Sequence, residues 1–180
     1  YTNAGKSTLF NRITGANVLS MDKLFATLDP TMRALNLPGG GKVILSDTVG
    51  FVSDLPTELV AAFRATLEEV LEADVLLHIR DISHPDSEAQ KADVEEVLKS
   101  LLRVNHLADN VVEVYNKIDR LDNEAKASLH EKKALLISAA TGEGIPELLA
   151  RIAEEIGNRL YTQAEYTLPL EDGRAMAWLH

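Results

Sequence analysis

Apolar residues recur along this chain in two alternating patterns, one with the spacing of a helix face and one of short continuous runs. From Lys6 to Ile13, Leu9, Phe10 and Ile13 share a helical face, and Gly15 stands where a left-handed residue closes a helix. Ala34 to Leu37 and Val43 to Ser46 read as two strands joined by a reversal at Pro38-Gly39-Gly40-Gly41. Pro56 opens a second helical pattern, whose stripe of Leu59, Phe63, Leu67, Val70 and Leu71 ends before Asp74. Val75 to Ile79 is an apolar run interrupted only by His78, the pattern of a strand covered on both faces. Ser87 is positioned to cap an amphipathic helix running to Leu102. Val111 to Tyr115 and Ala134 to Ile137 are further short strands, and Ile145 to Ile156 is a last amphipathic helix carrying Leu148, Leu149 and Ile152.

Strands alternating with helices predict an α/β fold, a mostly parallel sheet with helices on both faces. In such sheets ligands bind beyond the carboxyl ends of the strands, and polar motifs follow three of the strands here. No period lasts from Ala16 to Arg33, so a long loop is expected there, of a length that usually serves function. After Gly157 the alternation stops. Tyr166 to Leu170, a turn at Glu171-Asp172-Gly173 and Arg174 to His180 read as a hairpin. The expected division is one domain over residues 1–158 and a linker with the start of a second module over 159–180.

Composition narrows the possible partners. With 18 basic and 28 acidic residues the net charge is −10, which disfavours bulk attraction to DNA, RNA or anionic membrane. Cysteine is absent, so disulfides and thiolate metal sites are excluded, and a reducing cytoplasm is compatible. No apolar run reaches the roughly 20 residues of a membrane helix. The five histidines are scattered with no helix-face pair, which favours structural or solvated roles over metal binding.

The candidate chemistry begins at the first residues. Asn3-Ala4-Gly5-Lys6-Ser7-Thr8 leads straight into a helix and offers backbone N–H groups, an ammonium and a hydroxyl to one small volume, as a nucleoside triphosphate with magnesium requires. Gly-Lys-Ser alone is a common triplet, and the full pattern wants a further glycine upstream of Asn3. The chain therefore reads as one that starts inside its own phosphate loop, with the feeding first strand missing from it. A chain extended upstream is expected to be more stable. Asp47 ends a strand, where an aspartate can hold magnesium through its water, and Gly50 lets a backbone N–H approach a γ-phosphate. Asn116-Lys117-Ile118-Asp119 also follows a strand. A carboxylate at Asp119 can accept from both the ring N–H and the exocyclic amine of guanine, a pair that adenine lacks; Lys117 can lie over the base and Asn116 can brace the loop. Ser138-Ala139 offers a backbone N–H to guanine O6. Asn3 stands two residues before Gly5-Lys6, and its amide oxygen can coordinate a potassium ion beside the phosphates.

The order AGKST, a threonine-bearing loop, DTVG, NKID and SA resembles the G domain of a translation-factor-class P-loop GTPase. NAGKSTLFN, LFATLDPT and DTVGFVSDLP narrow the resemblance, over about Tyr1 to Asn158, to the HflX family of ribosome-associated GTPases. The resemblance implies GTP and GDP as ligands, Mg2+-dependent GTP hydrolysis and a cytoplasmic protein, with no DNA partner; a monomer is expected. It implies Thr27 as the switch threonine that binds magnesium with Ser7 and Asp47, Thr31 being the runner-up. By the same resemblance the partner is the large ribosomal subunit or a stalled ribosome, reached through an N-terminal domain and helical linker not found in this chain. Phe51 occupies the place of a water-positioning glutamine, which implies slow intrinsic turnover. The alternatives are another ribosome-assembly or tRNA-modification GTPase, or a non-catalytic module gated by nucleotide.

Overall fold

A computed structural model describes residues 1–16, 31–48, 72–101, 111–130 and 134–160. Along the chain these form α1 (Lys6–Thr14), β1 (Thr31–Asn36), β2 (Lys42–Asp47), β3 (Leu76–Asp81), α2 (Ser87–Leu101) and β4 (Val111–Asn116). A 3-10 turn (Ile118–Arg120), α3 (Asn123–His130), β5 (Leu135–Leu136) and α4 (Ile145–Leu160) follow. Expectations that fall on residues 17–30, 49–71, 102–110, 131–133 and 161–180 lie outside the described residues. These include Thr27, Gly50, Phe51, the helix after Pro56 and the C-terminal hairpin.

The sheet order is β3-β4-β5, all parallel, with a separate antiparallel β1-β2 pair. Among the described residues no hydrogen-bonded strand joins the two. A groove lined by Leu9, Phe10, Leu45, Asp47, Leu77 and Ile79 runs between β2 and β3. The alternation of side chains along β3 and β4 gives each face its own layer. On one face Ile79 and Val114 form a buried cluster with Leu9 of α1 and Leu148 and Ile152 of α4, with Leu77 and Val112 packed against it. On the other face Leu76 packs against Val94 and Leu98 of α2. Helices thus cover both faces of the parallel sheet, as the alternation of strands and helices predicts.

Some boundaries differ for identifiable reasons. Thr31 to Arg33 belongs to β1 rather than to the loop expected through Arg33, with Thr31 facing Asp47 in register. β3 runs past Ile79 through Arg80 and Asp81, because the charges there are met by partners remote in sequence. Arg80 is buried and bonds Glu113 at 2.5 Å and the Ser87 carbonyl at 3.0 Å, with Tyr115 under its guanidinium at 5.0 Å. Arg80 also donates to the Ser87 hydroxyl at 3.2 Å, and Ser87 is the first helical residue of α2 rather than the residue before it. The first turn of α2 instead bonds back through Gln90 N–H to the Asp86 carbonyl at 2.9 Å. α3 was not anticipated, and α4 extends to Leu160, past the helix end expected at Ile156.

His78 lies on the α2-facing side of β3, in register with Glu113 of β4. Burial, with a contribution from nearby cations, lowers its pKa from 6.5 to about 4. Between those two values an unfolded chain binds a proton that the folded one refuses, so stability falls as pH drops from about 6.5 towards 4. The contribution is at most about 1.4 kcal/mol per pH unit. His78→Gln is expected to flatten that part of a melting-temperature profile, whereas parallel profiles for the two proteins would show that His78 is not the titrating group.

Candidate nucleotide site

The first residues turn sharply before α1. Asn3 and Gly5 both take positive φ, 58° and 92°, and this alternation of handedness about Ala4 turns successive backbone N–H groups toward a common concavity. Gly5 is the N-cap of α1, and its carbonyl accepts from Leu9 N–H at 2.9 Å. Lys6 and Ser7 therefore open the helix at its positive end. Burial holds the Lys6 ammonium below its usual pKa, and the Asp47 carboxylate partly offsets this. The ammonium donates to the Tyr1 carbonyl at 2.8 Å, within the loop it would share with a phosphate.

Asp47, at the end of β2, reaches this loop from the neighbouring sheet. It is 4% exposed, and its Oδ2 is buried without a hydrogen-bond partner. Burial raises its carboxyl pKa, while a hydrogen bond from Ser7 and the charge of Lys6 oppose the shift. A buried carboxylate oxygen with no donor, beside a hydroxyl and an ammonium at a helix N-terminus, fits a site for a hydrated divalent cation on a phosphate. Among the described residues no cluster of three or more His, Cys, Asp or Glu could hold a metal unaided. Such a cation would draw its remaining ligands from water and phosphate.

A second cluster lies at the carboxyl end of β4. Asn116 is 1% exposed and joins three segments. Its Nδ2 donates to the Ala4 carbonyl at 2.8 Å, and its Oδ1 accepts from Ala139 N–H at 2.9 Å. Both backbone N–H groups of Ser138-Ala139, suggested for guanine O6, are thus engaged, that of Ala139 by Asn116 and that of Ser138 by the Glu143 carbonyl at 2.9 Å. Lys117 takes φ 67° and starts the 3-10 turn that carries Asp119 to an exposed position. Ser138, fully buried, donates its hydroxyl to Asp119 Oδ1 at 2.5 Å and accepts from Thr141 N–H at 3.1 Å. The side chain of Asn3 is exposed at the mouth of the phosphate loop, and Thr8 lies in the first turn of α1.

The structure adds residues that motif reading missed. Arg12, in the last turn of α1, donates to the Ala139 carbonyl at 2.5 Å and to the Ala140 carbonyl, tying the helix behind the phosphate loop to the loop beside the base. Sequence offered only a cation near a helix C-terminus, which usually signals interaction with the helix dipole. Asp81 accepts from Lys117 Nζ at 2.7 Å. It ends a strand as Asp47 does, and that shared position is the signal by which it was findable. Thr31 neighbours Asp47 across the β1-β2 ladder.

Residues 1–141 match the family model described as 50S ribosome-binding GTPase. The GTPase HflX of Magnetococcus marinus is 52% identical over 100% of this chain, which covers 41% of that protein. The GTPase HflX of Escherichia coli is 43% identical over 97% of this chain, again covering 41% of the relative. The chain thus spans about two fifths of the length of these curated relatives. Among solved structures, a GTP-binding protein from Sulfolobus solfataricus in complex with GDP is 26% identical, with a TM-score of 0.68 over 89% of this chain and 51% of that one.

Proposed function

Because the chain belongs to the 50S ribosome-binding GTPase family, as a G domain of the HflX type, we propose that it binds GTP and hydrolyses it with magnesium as the switch of a protein acting on the large ribosomal subunit. The observation that supports this reading best is the pair of hydrogen bonds made by buried Asn116. One side chain fixes the distance between the loop suited to phosphates and the loops suited to guanine, which is what reading both ends of one nucleotide demands.

In this reading Asn3 to Thr8 cradle the phosphates and Lys6 places its ammonium on the β- and γ-phosphates. Ser7, Thr27 and, through its water, Asp47 would hold magnesium, and the Gly50 amide would approach the γ-phosphate. Bound magnesium supplies charge neutralisation for the transferred phosphoryl group. Asp119, held by Ser138, reads the N1 and N2 edge of guanine, Lys117 lies along the base, and Asn116 with Ala139 braces the loops around it. Nothing in the net charge of −10 draws this chain to RNA, so ribosome contact is specific and local, or is made by other parts of the protein. Among the described residues no helix is long and apolar enough to cross a membrane. The purified protein is expected to bind a fluorescent GDP analogue in competition with GTP but not ATP, and to release phosphate from GTP in single-turnover assays only with magnesium. Tight guanine binding without any hydrolysis, with or without ribosomes, would make it a nucleotide-gated module instead.

A monovalent cation takes part as well. The exposed amide of Asn3 stands beside the phosphate loop, where a potassium ion would neutralise transition-state charge that an arginine otherwise meets. Arg33 is no substitute: it is exposed on β1, where it donates to the Met32 carbonyl. Hydrolysis is expected to run faster in potassium than in sodium at equal ionic strength. Asn3→Leu should erase that difference while leaving GTP binding in place, and identical rates in both salts would leave Asn3 a purely structural residue.

A further inference from the structure

We infer that Asp81, held by Ser83, is a positioning residue for guanine-nucleotide binding: it pins the Lys117 ammonium so that the stem of that lysine is laid in place before the base arrives. The inference rests on the guanine reading above and extends it to a residue outside the phosphate and base motifs.

Asp81 ends β3 and is 8% exposed, so its carboxylate must be satisfied by protein. The donors are present. Oδ2 accepts from Lys117 Nζ at 2.7 Å, and Oδ1 accepts from both Ser83 N–H at 3.1 Å and the Ser83 hydroxyl at 2.6 Å. The backbone reinforces the same junction, since Ile82 N–H donates to the Asn116 carbonyl at 3.1 Å, one step beyond the β3-β4 register. Burial alone would raise the carboxyl pKa, but Lys117 and Ser83 overcome it and hold it below the usual value. The Asp81 carboxylate is therefore ionised at neutral pH.

The geometry gives this pair a consequence for binding. Lys117 sits at positive φ directly after Asn116, and its Cε lies 4.0 Å from the position a Cβ on Gly5 would take. The stem thus passes over the phosphate loop towards β3, with its charge consumed at the far end. A free lysine loses up to about 2 kcal/mol of side-chain entropy when it is ordered, and a lysine already pinned by a buried carboxylate does not lose it again on binding. The neutralised ammonium leaves an apolar stem as the contact surface, which suits the flat face of a base. On this account Asp81 and Ser83 act on nucleoside affinity and residence, while the polyphosphate contacts of the loop remain independent of them.

The test measures GDP affinity and release with a fluorescent GDP analogue, inorganic tripolyphosphate affinity and the nucleotide-free melting temperature, for the unmutated protein, Asp81→Ala, Asp81→Asn, Ser83→Ala and Lys117→Ala. Asp81→Ala is expected to weaken GDP and speed its release by about tenfold, about 1.4 kcal/mol of the ordering cost that an unpinned Lys117 then pays on binding. Asp81→Asn and Ser83→Ala should fall between it and the unmutated protein, with tripolyphosphate affinity unchanged throughout. In a Lys117→Ala background Asp81→Ala should add nothing. Unchanged GDP release in Asp81→Ala and Asp81→Asn overturns the inference, as does an equal loss of GDP and tripolyphosphate affinity or an Asp81 effect that persists without Lys117. Should Asp81→Ala not fold, Asp81→Asn and Ser83→Ala carry the same comparison. If the unmutated protein binds ADP as well as GDP, the guanine reading itself fails and takes this inference with it, an outcome visible before any variant is made.

Discussion

Asp119→Asn is expected to reverse the base preference of this protein, weakening GTP by at least about a hundredfold and making xanthosine triphosphate the better ligand. The carboxylate presents two acceptors, and guanine supplies two donors from its N1–H and exocyclic amine. Asparagine keeps one acceptor and replaces the other with an NH2 group, which faces the amine of guanine with donor against donor. Xanthine carries an oxygen where guanine carries that amine, so the pairing is restored. Ser138 sharpens the expectation. Its hydroxyl donates to Asp119 Oδ1 at 2.5 Å, and an asparagine carbonyl in the same place can still accept that bond, so the loop keeps its shape. Asp119 itself is exposed, so the substitution leaves no buried group orphaned in the free protein. Competition of GTP, xanthosine triphosphate and ATP against a labelled nucleotide measures the switch. If the variant still prefers GTP, the base is read elsewhere.

The parts of this molecule that sequence revealed are those where a local pattern and its structural cause coincide. The face of Leu9, Phe10 and Ile13 in α1, the reversal at the triple glycine and the apolar stretches of β3 and β4 are each encoded within a few residues. The Asn116 to Asp119 motif was legible for the same reason, since its chemistry sits on four consecutive residues. What escaped reading depends on distant partners. Arg80 and Asp81 look like the end of a strand because charges are normally exposed, yet they are buried by Glu113, 33 residues away, and Lys117, 36 away. Arg12 finds the carbonyls of the base-side loop across 127 and 128 residues. The start of β1, Thr31 to Arg33, was missed for the opposite reason. Its pattern is almost wholly exposed, with Met32 at 50% and Ile44, which faces Ala34 from β2, at 73%, so no burial rhythm marks where it starts. α3 was missed because its sequence, NEAKASLH, has little apolar face. The one readable signal was Asp122, whose carboxylate accepts from Ala125 N–H at 2.8 Å as a helix cap.

The second large effect is expected at Gly5, where a single methyl group should separate the phosphate loop from the base loops. Gly5 has φ 92°, a region that costs a non-glycine residue about 1–2 kcal/mol. Strain alone would be survivable. The contact is not, since a Cβ there would lie 2.2 Å from Asn116 Nδ2. Asn116 cannot turn aside at small cost. It is 1% exposed, and leaving its position breaks the bond to the Ala4 carbonyl and the bond from Ala139 N–H together. Each of those buried groups then costs about 1–3 kcal/mol if left unpaired. Gly5→Ala is therefore expected to lower guanine-nucleotide affinity by more than about a hundredfold and to abolish measurable hydrolysis. Gly15→Ala is the control. Gly15 also has positive φ, 67°, but nothing lies within 4 Å of its added Cβ, so it should lose about 1 kcal/mol of stability and keep its affinity. The mechanism predicts non-additivity as well: with Asn116→Ala already in place, Gly5→Ala should cost little more than its backbone strain, because the atom it strikes is gone. Nucleotide titrations on the two single variants and the double variant decide the matter. Full additivity would mean that Gly5 serves the phosphate loop alone and that Asn116 does not link the two halves of the site.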